Sequence, residues 1–503
     1  MTSSPYDPPR RFIGGRDDWV YRHRPLFAAS ILVVIIAFVI ALPEFAHSAA
    51  ENITQVLPGF ADDDMAATTF VAMSGDGMTA AAKSLSGLVI VYTKDDPTGF
   101  KPFGEVFTVT TVGETSPIED FNKRIVLSFD GTLLLARAPC GDLKENAAGA
   151  CVYTREKQGS GIWTKQAEVG GFGLESMGYQ GTSIAMSANG DWIVIGAPKG
   201  DLFPSGAIWI FARDASKTGS WSLFDKVITA PAGAEAFGFA VSISPDGFTV
   251  AVGAPEEKYA TTGVSGAVYL YIRSSTNASS FSLLQRIETN SPISSSLSLA
   301  TFGNGIALSE NGLRCVVTGM EERSSGSLLT VRVVTVTYKR SSVDSPFAVM
   351  STLPRVSRAI KGVYAQFLPL LSSVEMSYDG KTVAAVDLHA RANLVMGVFM
   401  SEIPNTFGAW RTESTGLMWG GSEHRSALLS GSIAMSADGS QVIFGTFGVD
   451  QSRMIGVNGP VVWDTSAMTT TTTSGSSDHD ESLLLTSLKS KLSAALEQTA
   501  QTN

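Results

Sequence analysis

The chain is poor in the residues from which most metal and catalytic sites are built. It has 5 histidines and 3 cysteines. His23, His47 and His479 fall in the flanking segments, and neither His389 nor His424 has a second histidine at ligand spacing, which leaves a metal-hydrolase centre without its ligand set. No G-x-S-x-G elbow and no phosphate-cradling glycine loop occurs. These gaps lead to the expectation of no catalytic residue, no metal, no cofactor and no enzymatic activity. Charge is sparse as well: Asp and Glu number 47, Lys and Arg 37, for a net charge of −10. No basic stripe lies outside the N-terminal tail, so a nucleic-acid partner is not expected. An odd cysteine count leaves one thiol unpaired, and Cys315, in the apolar run L-R-C-V-V, reads as a buried structural thiol.

What is abundant is glycine, 49 residues of it, in a chain that is 44% hydrophobic, with frequent β-branched residues. That mixture points to strands and tight turns. Residues 1–25 form a polar tail carrying Arg10, Arg11, Arg16, Arg22 and Arg24. An uncharged run over residues 26–42 follows, with Glu44 and Glu51 beyond it. At ~1.5 Å per residue the run reaches about 26 Å, close to the ~30 Å hydrocarbon core. The charge asymmetry leaves the tail in the cytosol and exports the rest. Residues 26–47 therefore read as an uncleaved signal anchor, giving a single-pass type II membrane protein with its bulk on the extracellular or lumenal side. The alternative is a cleaved signal peptide and a secreted product, with Ser48-Ala49-Ala50 as the cleavage site. Asn52 and Asn277 open glycosylation sequons that suit export.

The most informative pattern is a tetrad that opens with Ser and closes on Asp-Gly or Asn-Gly, preceded by alternating apolar residues. Seven copies end in Asp76-Gly77, Asp130-Gly131, Asn189-Gly190, Asp246-Gly247, Asn311-Gly312, Asp379-Gly380 and Asp438-Gly439, at intervals of 54 to 68 residues. Asp-Gly and Asn-Gly suit the primed two-residue turns of β-hairpins. Repetition at near-constant spacing marks a repeat architecture. The unit is complete over residues 182–229: T-S-I-A-M-S, the turn, D-W-I-V-I-G-A, then G-A-I-W-I-F-A-R and W-S-L-F-D-K-V-I. Four antiparallel strands, a to d, repeated every 60 or so residues make one propeller blade.

The predicted fold is thus all-β, a seven-bladed β-propeller over residues 51–465 with one N-terminal transmembrane helix and a short C-terminal amphipathic helix. The seventh unit lacks its strand d, because residues 466–480 are a Thr/Ser-rich linker. The segment E-N-I-T-Q-V-L at 51–57 stands at the right distance before the first turn to supply that strand and latch the ring. Residues 481–499 place Leu485, Leu488, Leu492 and Leu496 on one helical face, a candidate contact for a protein partner.

The fourth unit reads F-G-F-A-V-S-I-S-P-D-G-F-T-V-A-V-G-A-P at 237–255, followed by S-G-A-V-Y-L-Y at 265–271. This resembles the FG-GAP repeat, the blade of the integrin α-subunit propeller. I-G-A-P at 195–198 and G-A-I-W-I-F at 206–211 repeat the likeness, which weakens in the first, sixth and seventh units. The resemblance implies a seven-bladed ring and extracellular adhesion or ligand binding. It would also imply calcium in D-x-D-x-D-G loops, but these turns carry too few oxygens for a site needing six to eight, so calcium is not carried over.

Cys140 and Cys151 bracket the b–c loop of the second unit and in an exported chain suggest a disulfide, with two unlinked cysteines as the alternative. The b–c loops also hold Glu256, Glu257, Tyr259, Glu321 and Arg323, a mixed rim proposed to meet a protein or glycan ligand. The expected function is recognition or adhesion by a membrane-anchored propeller; a structural subunit of a membrane or extracellular assembly is the alternative.

Overall fold

A computed structural model of the chain describes residues between Gln55 and Asp464. Residues 1–54 and 465–503 lie outside the described residues, as do several inter-strand segments, among them 109–124, 139–148, 171–180, 259–264, 289–297, 362–372, 416–426 and 449–460. The expected membrane segment 26–47, the linker 466–480, the helix 481–499, and Asn52, Cys140, Tyr259 and Asn277 therefore fall outside them.

The described part is all-β and propeller-like. Its strands form seven antiparallel sheets of four or five strands, each in the order a-b-c-d and numbered 1 to 7 by their strands b: Thr79–Ser84, Leu133–Ala138, Trp192–Ala197, Thr249–Lys258, Arg314–Ser325, Thr382–His389 and Gln441–Gly448. Sheet 3 shows how closely strand boundaries follow the apolar pattern: strand a is Ser183–Met186, b is Trp192–Ala197 and c is Ala207–Arg213. Strand d is broken in two, Trp221–Leu223 and Ile228–Thr229, both paired with c. The break falls where Asp225 takes a positive φ of 63°. In sheet 4, Val241–Ile243, Thr249–Lys258, Ser265–Ile272 and Ser282–Ile287 pair in sequence.

Sheet 7 is completed as its missing strand requires. Gln55–Val56 pairs antiparallel with Val461–Asp464, opposite Val462 and Val461, and so supplies strand d from the other end of the chain. Two residues make a short strand, but they cover the otherwise unpaired edge of strand c.

Alternation along each strand sends apolar side chains to both faces, and each face packs on the neighbouring sheet. Val194, Ile208 and Ile210 of sheet 3 meet Val250, Val252 and Tyr269 of sheet 4 in one buried cluster. Ala251, Val268 and Leu270, on the other face of sheet 4, meet Val317, Val334 and Val336 of sheet 5. Sheet 1 packs on sheet 2 in the same way, and its second face meets Ala434 and Ile443 of sheet 7. Each fully buried Val, Leu or Ile contributes about 1.5–3 kcal/mol relative to exposure.

The turns differ from the expected two-residue hairpins. In each tetrad the Ser C=O accepts from the Gly N–H three residues on, at 2.8–3.0 Å. The glycines have φ between 61° and 77°, while the Asp or Asn before them does not have positive φ. The strands are thus joined by a four-residue loop built on an ordinary turn, with one left-handed position that glycine fills without a Cβ penalty.

Candidate functional site

The serine and the acid of each tetrad form a repeated side-chain unit. Ser Oγ donates to Oδ1 of Asp76, Asp130, Asn189, Asp246, Asn311, Asp379 or Asp438 at 2.5–3.2 Å. The same Oδ1 accepts a backbone N–H two residues on, at 2.9–3.1 Å. The Ser Oγ in turn accepts the N–H that opens strand b, at 2.9–3.0 Å. The tetrad therefore serves as a cap for the hairpin. Partial burial would raise the Asp130 and Asp438 carboxyls, but hydrogen bonds from Ser128 and Thr132, and from Ser436 and Ser440, outweigh it and hold both below the usual carboxylate range.

The second residue of each tetrad links the seven turns into a closed cycle. Phe129 accepts from Asp76 N–H, Ala188 from Phe129, Pro245 from Ala188, Glu310 from Asp246, Tyr378 from Glu310, Ala437 from Tyr378 and Gly75 from Ala437, at 2.8–3.1 Å. The donor is one residue further on in two turns: Asp246 beside Pro245, which has no N–H, and Asp76 beside Gly75. The Phe129 ring lies where a Cβ on Gly75 would stand, 2.3 Å from that position, and its centroid is 5.9 Å from that of Tyr378. Aromatic rings from sheets 2 and 6 therefore meet across the hub of the cycle.

Behind the hub, the residue that ends strand c reaches the residue that opens strand b of the preceding sheet. Arg155 donates to Thr79 Oγ1 and Arg340 to Thr249 Oγ1, both at 2.6 Å. Arg273 stacks over Trp192 at 4.3 Å. With its amide oriented to satisfy both neighbours, Gln441 accepts from Lys94 Nζ at 2.9 Å. Between sheets 5 and 6 the polarity is reversed: Arg314 opens strand b and pairs with Glu402 at the end of strand c, at 2.7 Å. Sequence reading missed these contacts, although the endings Y-T-R, F-A-R, Y-I-R and Y-K-R of successive strands c carried the signal.

At the opposite end, the glycines of the F-G and G-A-P elements let neighbouring sheets touch through backbone. Phe237 N–H donates to Ser205 O at 2.9 Å. A Cβ on Gly206 would stand 2.0 Å from Phe237 O, and one on Gly196 would stand 2.1 Å from Gly238 O. Phe302-Gly303 repeats the contact on Gly253 and Gly266 of sheet 4. A small cavity opens where strands a begin, bounded by Ser183, Ala240, Asn304 and Ser373 among others.

The expected ligand rim is only partly assembled here. Glu256 is exposed and bridges to Lys199 of sheet 3 at 3.2 Å. Glu257 is a correction: it is 3% exposed and turned inward, accepting from Tyr269 Oη at 2.8 Å and from Arg286 Nη2 at 2.6 Å. Burial, then the Glu257 carboxylate, push the Tyr269 phenol above its ordinary range. Glu321 and Arg323 stand in strand rather than loop, opposite Arg332 and Thr330, because the β-branched run after Leu328 extends that hairpin over Arg314–Ser325. Cys315 is the buried free cysteine among the described residues, and Cys151 is disulfide-bonded. Ala136, and not Cys140, stands directly across the b–c ladder from Cys151.

No family model matches the chain, and no curated protein matches it. Among solved structures it is similar to the Pseudomonas aeruginosa periplasmic gluconolactonase PpgL, at 12% identity and a TM-score of 0.43, over 69% of this chain and 85% of that one. A likeness at that level assigns neither activity nor substrate to this chain.

Proposed function

We propose that the seven sheets are the blades of one seven-bladed propeller of FG-GAP type, and that it serves as a recognition or adhesion module on the exported side of a membrane. The cycle of turns supports the architectural part of this reading, because hydrogen bonds join all seven tetrads in succession. The latch strand begins at Gln55, a few residues in sequence beyond the proposed membrane segment 26–47, so in this reading the linker between them is short.

The ligand in this reading is a protein or a glycan that meets the b–c end. Glu256 is its best-placed described residue, Glu321 and Arg323 stand on the b–c hairpin of the next sheet, and Tyr259 completes the proposed set by its place in the sequence. Glu257 is removed from that set by its burial. Export agrees with a bonded Cys151, for which Cys140 is the proposed partner, and with glycans on Asn52 and Asn277. A structural subunit that uses the segment 481–499 as its contact is the alternative role, and release by signal peptidase is the alternative topology.

Two measurements test the reading. Intact mass and N-terminal sequencing after membrane fractionation should find an uncut, glycosylated chain in the membrane pellet; a new N-terminus near Glu51 supports the secreted form, and an uncut, unglycosylated soluble chain contradicts export. Glycan-array and cell-adhesion binding by the intact protein should fall about tenfold in a Glu256→Ala, Tyr259→Ala double variant, the scale of one lost interface anchor. Unchanged binding contradicts the rim assignment.

A further inference from the structure

The fourth residue before each tetrad serine stands near the start of strand a. In sheet 1 it is Phe70, a buried ring. In sheets 3, 4, 5 and 6 it is Ser183, Ala240, Gly305 and Ser373, small residues in four successive repeats. All four line the cavity that opens where strands a begin. The cavity is therefore written into the chain as side-chain volume left out at one repeat position. The space is small and partly open to solvent, so it admits the edge of a ligand rather than the whole of one.

Asn304 lines the same cavity, and the chain around it is strained. Ala236 and Thr301 hold equivalent places before Phe237-Gly238 and Phe302-Gly303, and both have positive φ, 56° and 57°. A left-handed backbone is unfavourable for any residue with a Cβ, and a β-branched residue there is a genuine outlier. Sheet 4 meets the demand with alanine and follows its Phe-Gly pair with Phe239; sheet 5 uses threonine and follows its pair with Asn304. The backbone thus requires neither the hydroxyl nor the amide. Thr301 Oγ1 accepts from Asn304 Nδ2 at 3.0 Å, which fixes how the 3% exposed Asn304 is turned. Strain of this kind persists where a site uses it.

We propose that the cavity seats the edge of an uncharged sugar, so that the ligand met at the b–c end is a glycan with a neutral terminal residue. This rests on the recognition reading above and narrows its ligand. Ser183, Asn304 and Ser373 supply hydroxyl and amide groups, while Val241, Ile306 and Val374 supply aliphatic walls. A sugar edge carries O–H for the first set and C–H for the second, the pairing of apolar lining with a few placed polar groups that small-molecule sites use. None of the described residues that line the cavity is charged, so a carboxylate or ammonium seated there would lose water without gaining a counter-charge. Asn304 is oriented by Thr301, and Ser183 by donating to Gly238 O at 2.8 Å, which limits the ordering cost of binding.

The test uses the full chain in nanodiscs, without sugar-based detergent, and saturation-transfer NMR titrations. The probes are glucose, galactose, mannose and N-acetylglucosamine, with sialic acid as the charged comparison. At least one neutral sugar should bind, and sialic acid should not. Two variants follow residues the chain already places at equivalent positions: Thr301→Ala copies Ala236, and Ser373→Phe sets in sheet 6 the ring that Phe70 sets in sheet 1. Asn304→Ala removes the amide itself. Thr301→Ala and Asn304→Ala should each weaken sugar binding about tenfold, the effect of one hydrogen-bonding group lost or misdirected, and Ser373→Phe should abolish it, with the circular dichroism spectrum unchanged in all three. Protein or cell capture by a chain that binds none of the sugars overturns this proposal and leaves the recognition reading standing; no binding of any kind overturns both. Equal binding of sialic acid, or undiminished sugar affinity in Thr301→Ala or Asn304→Ala, also overturns it.

Discussion

The smallest unit that explains this molecule is a serine and the acid or amide two residues after it. Ser244 Oγ accepts the Thr249 N–H and donates to Asp246, so one hydroxyl satisfies the start of a strand and orients its turn. Ser244→Ala leaves a buried N–H without that acceptor, at a cost of about 1–3 kcal/mol, read as a lower urea midpoint with unchanged slope. The Asp-Gly and Asn-Gly pairs were legible in the sequence as turns, because few other residues accept a left-handed backbone. The role of the serine was not, since a cap is a contact and serine has no distinctive pattern of its own. Acid response follows from the same turns. Asp438 has a folded pKa below its unfolded value of about 3.9. Its contribution is therefore complete above the unfolded pKa and is lost as pH falls through the folded one. Asp438→Asn should flatten the fall in stability below about pH 4, measured as urea midpoints against pH; an unchanged profile counts against this account. Cys315, fully buried, has its thiol pushed up to about 12, chiefly by desolvation. Iodoacetamide at pH 8 should label it only after unfolding.

At the scale of the element, strands a, b and c followed the apolar alternation, while strand d and the b–c hairpins did not. Strand d of sheet 3 reads as one apolar stretch but breaks at Asp225. The hairpin of sheet 5 runs on past its expected end, so Glu321 and Arg323 belong to a ladder. Contacts between sheets were the least legible feature, because they join residues far apart in the chain. The reversed pair Arg314–Glu402 is the best place to test them. Both side chains are mostly buried, 14% and 9% exposed, so Glu402→Ala leaves a mostly buried guanidinium with Gly380 O but no carboxylate partner and should cost about 3 kcal/mol. The double variant Arg314→Thr, Glu402→Arg copies the Thr249–Arg340 junction and should recover most of that loss. A double variant no more stable than the single one would falsify the shared role of these positions.

On the scale of the whole molecule, seven turns of one kind imply a closed arrangement only if the last meets the first. The sequence pointed to that meeting through the missing strand d of sheet 7 and the strand-like segment E-N-I-T-Q-V-L at 51–57, and the pairing of Gln55–Val56 with Val461–Val462 supplies it. It did not reveal the second closure, Ala437 N–H to Gly75 O, because backbone hydrogen bonds between turn tips leave no mark on side-chain choice. The most direct test of this account is residue-resolved hydrogen exchange at the hub amides of Asp76, Phe129, Ala188, Asp246, Glu310, Tyr378 and Ala437. If the ring is closed, all seven are protected to a similar degree, and deletion of residues 52–57 lowers protection first at Ala437 and Asp76. Free exchange at Ala437 and Asp76 in the intact chain, with the other amides protected, would mean an open arc of sheets and would contradict it.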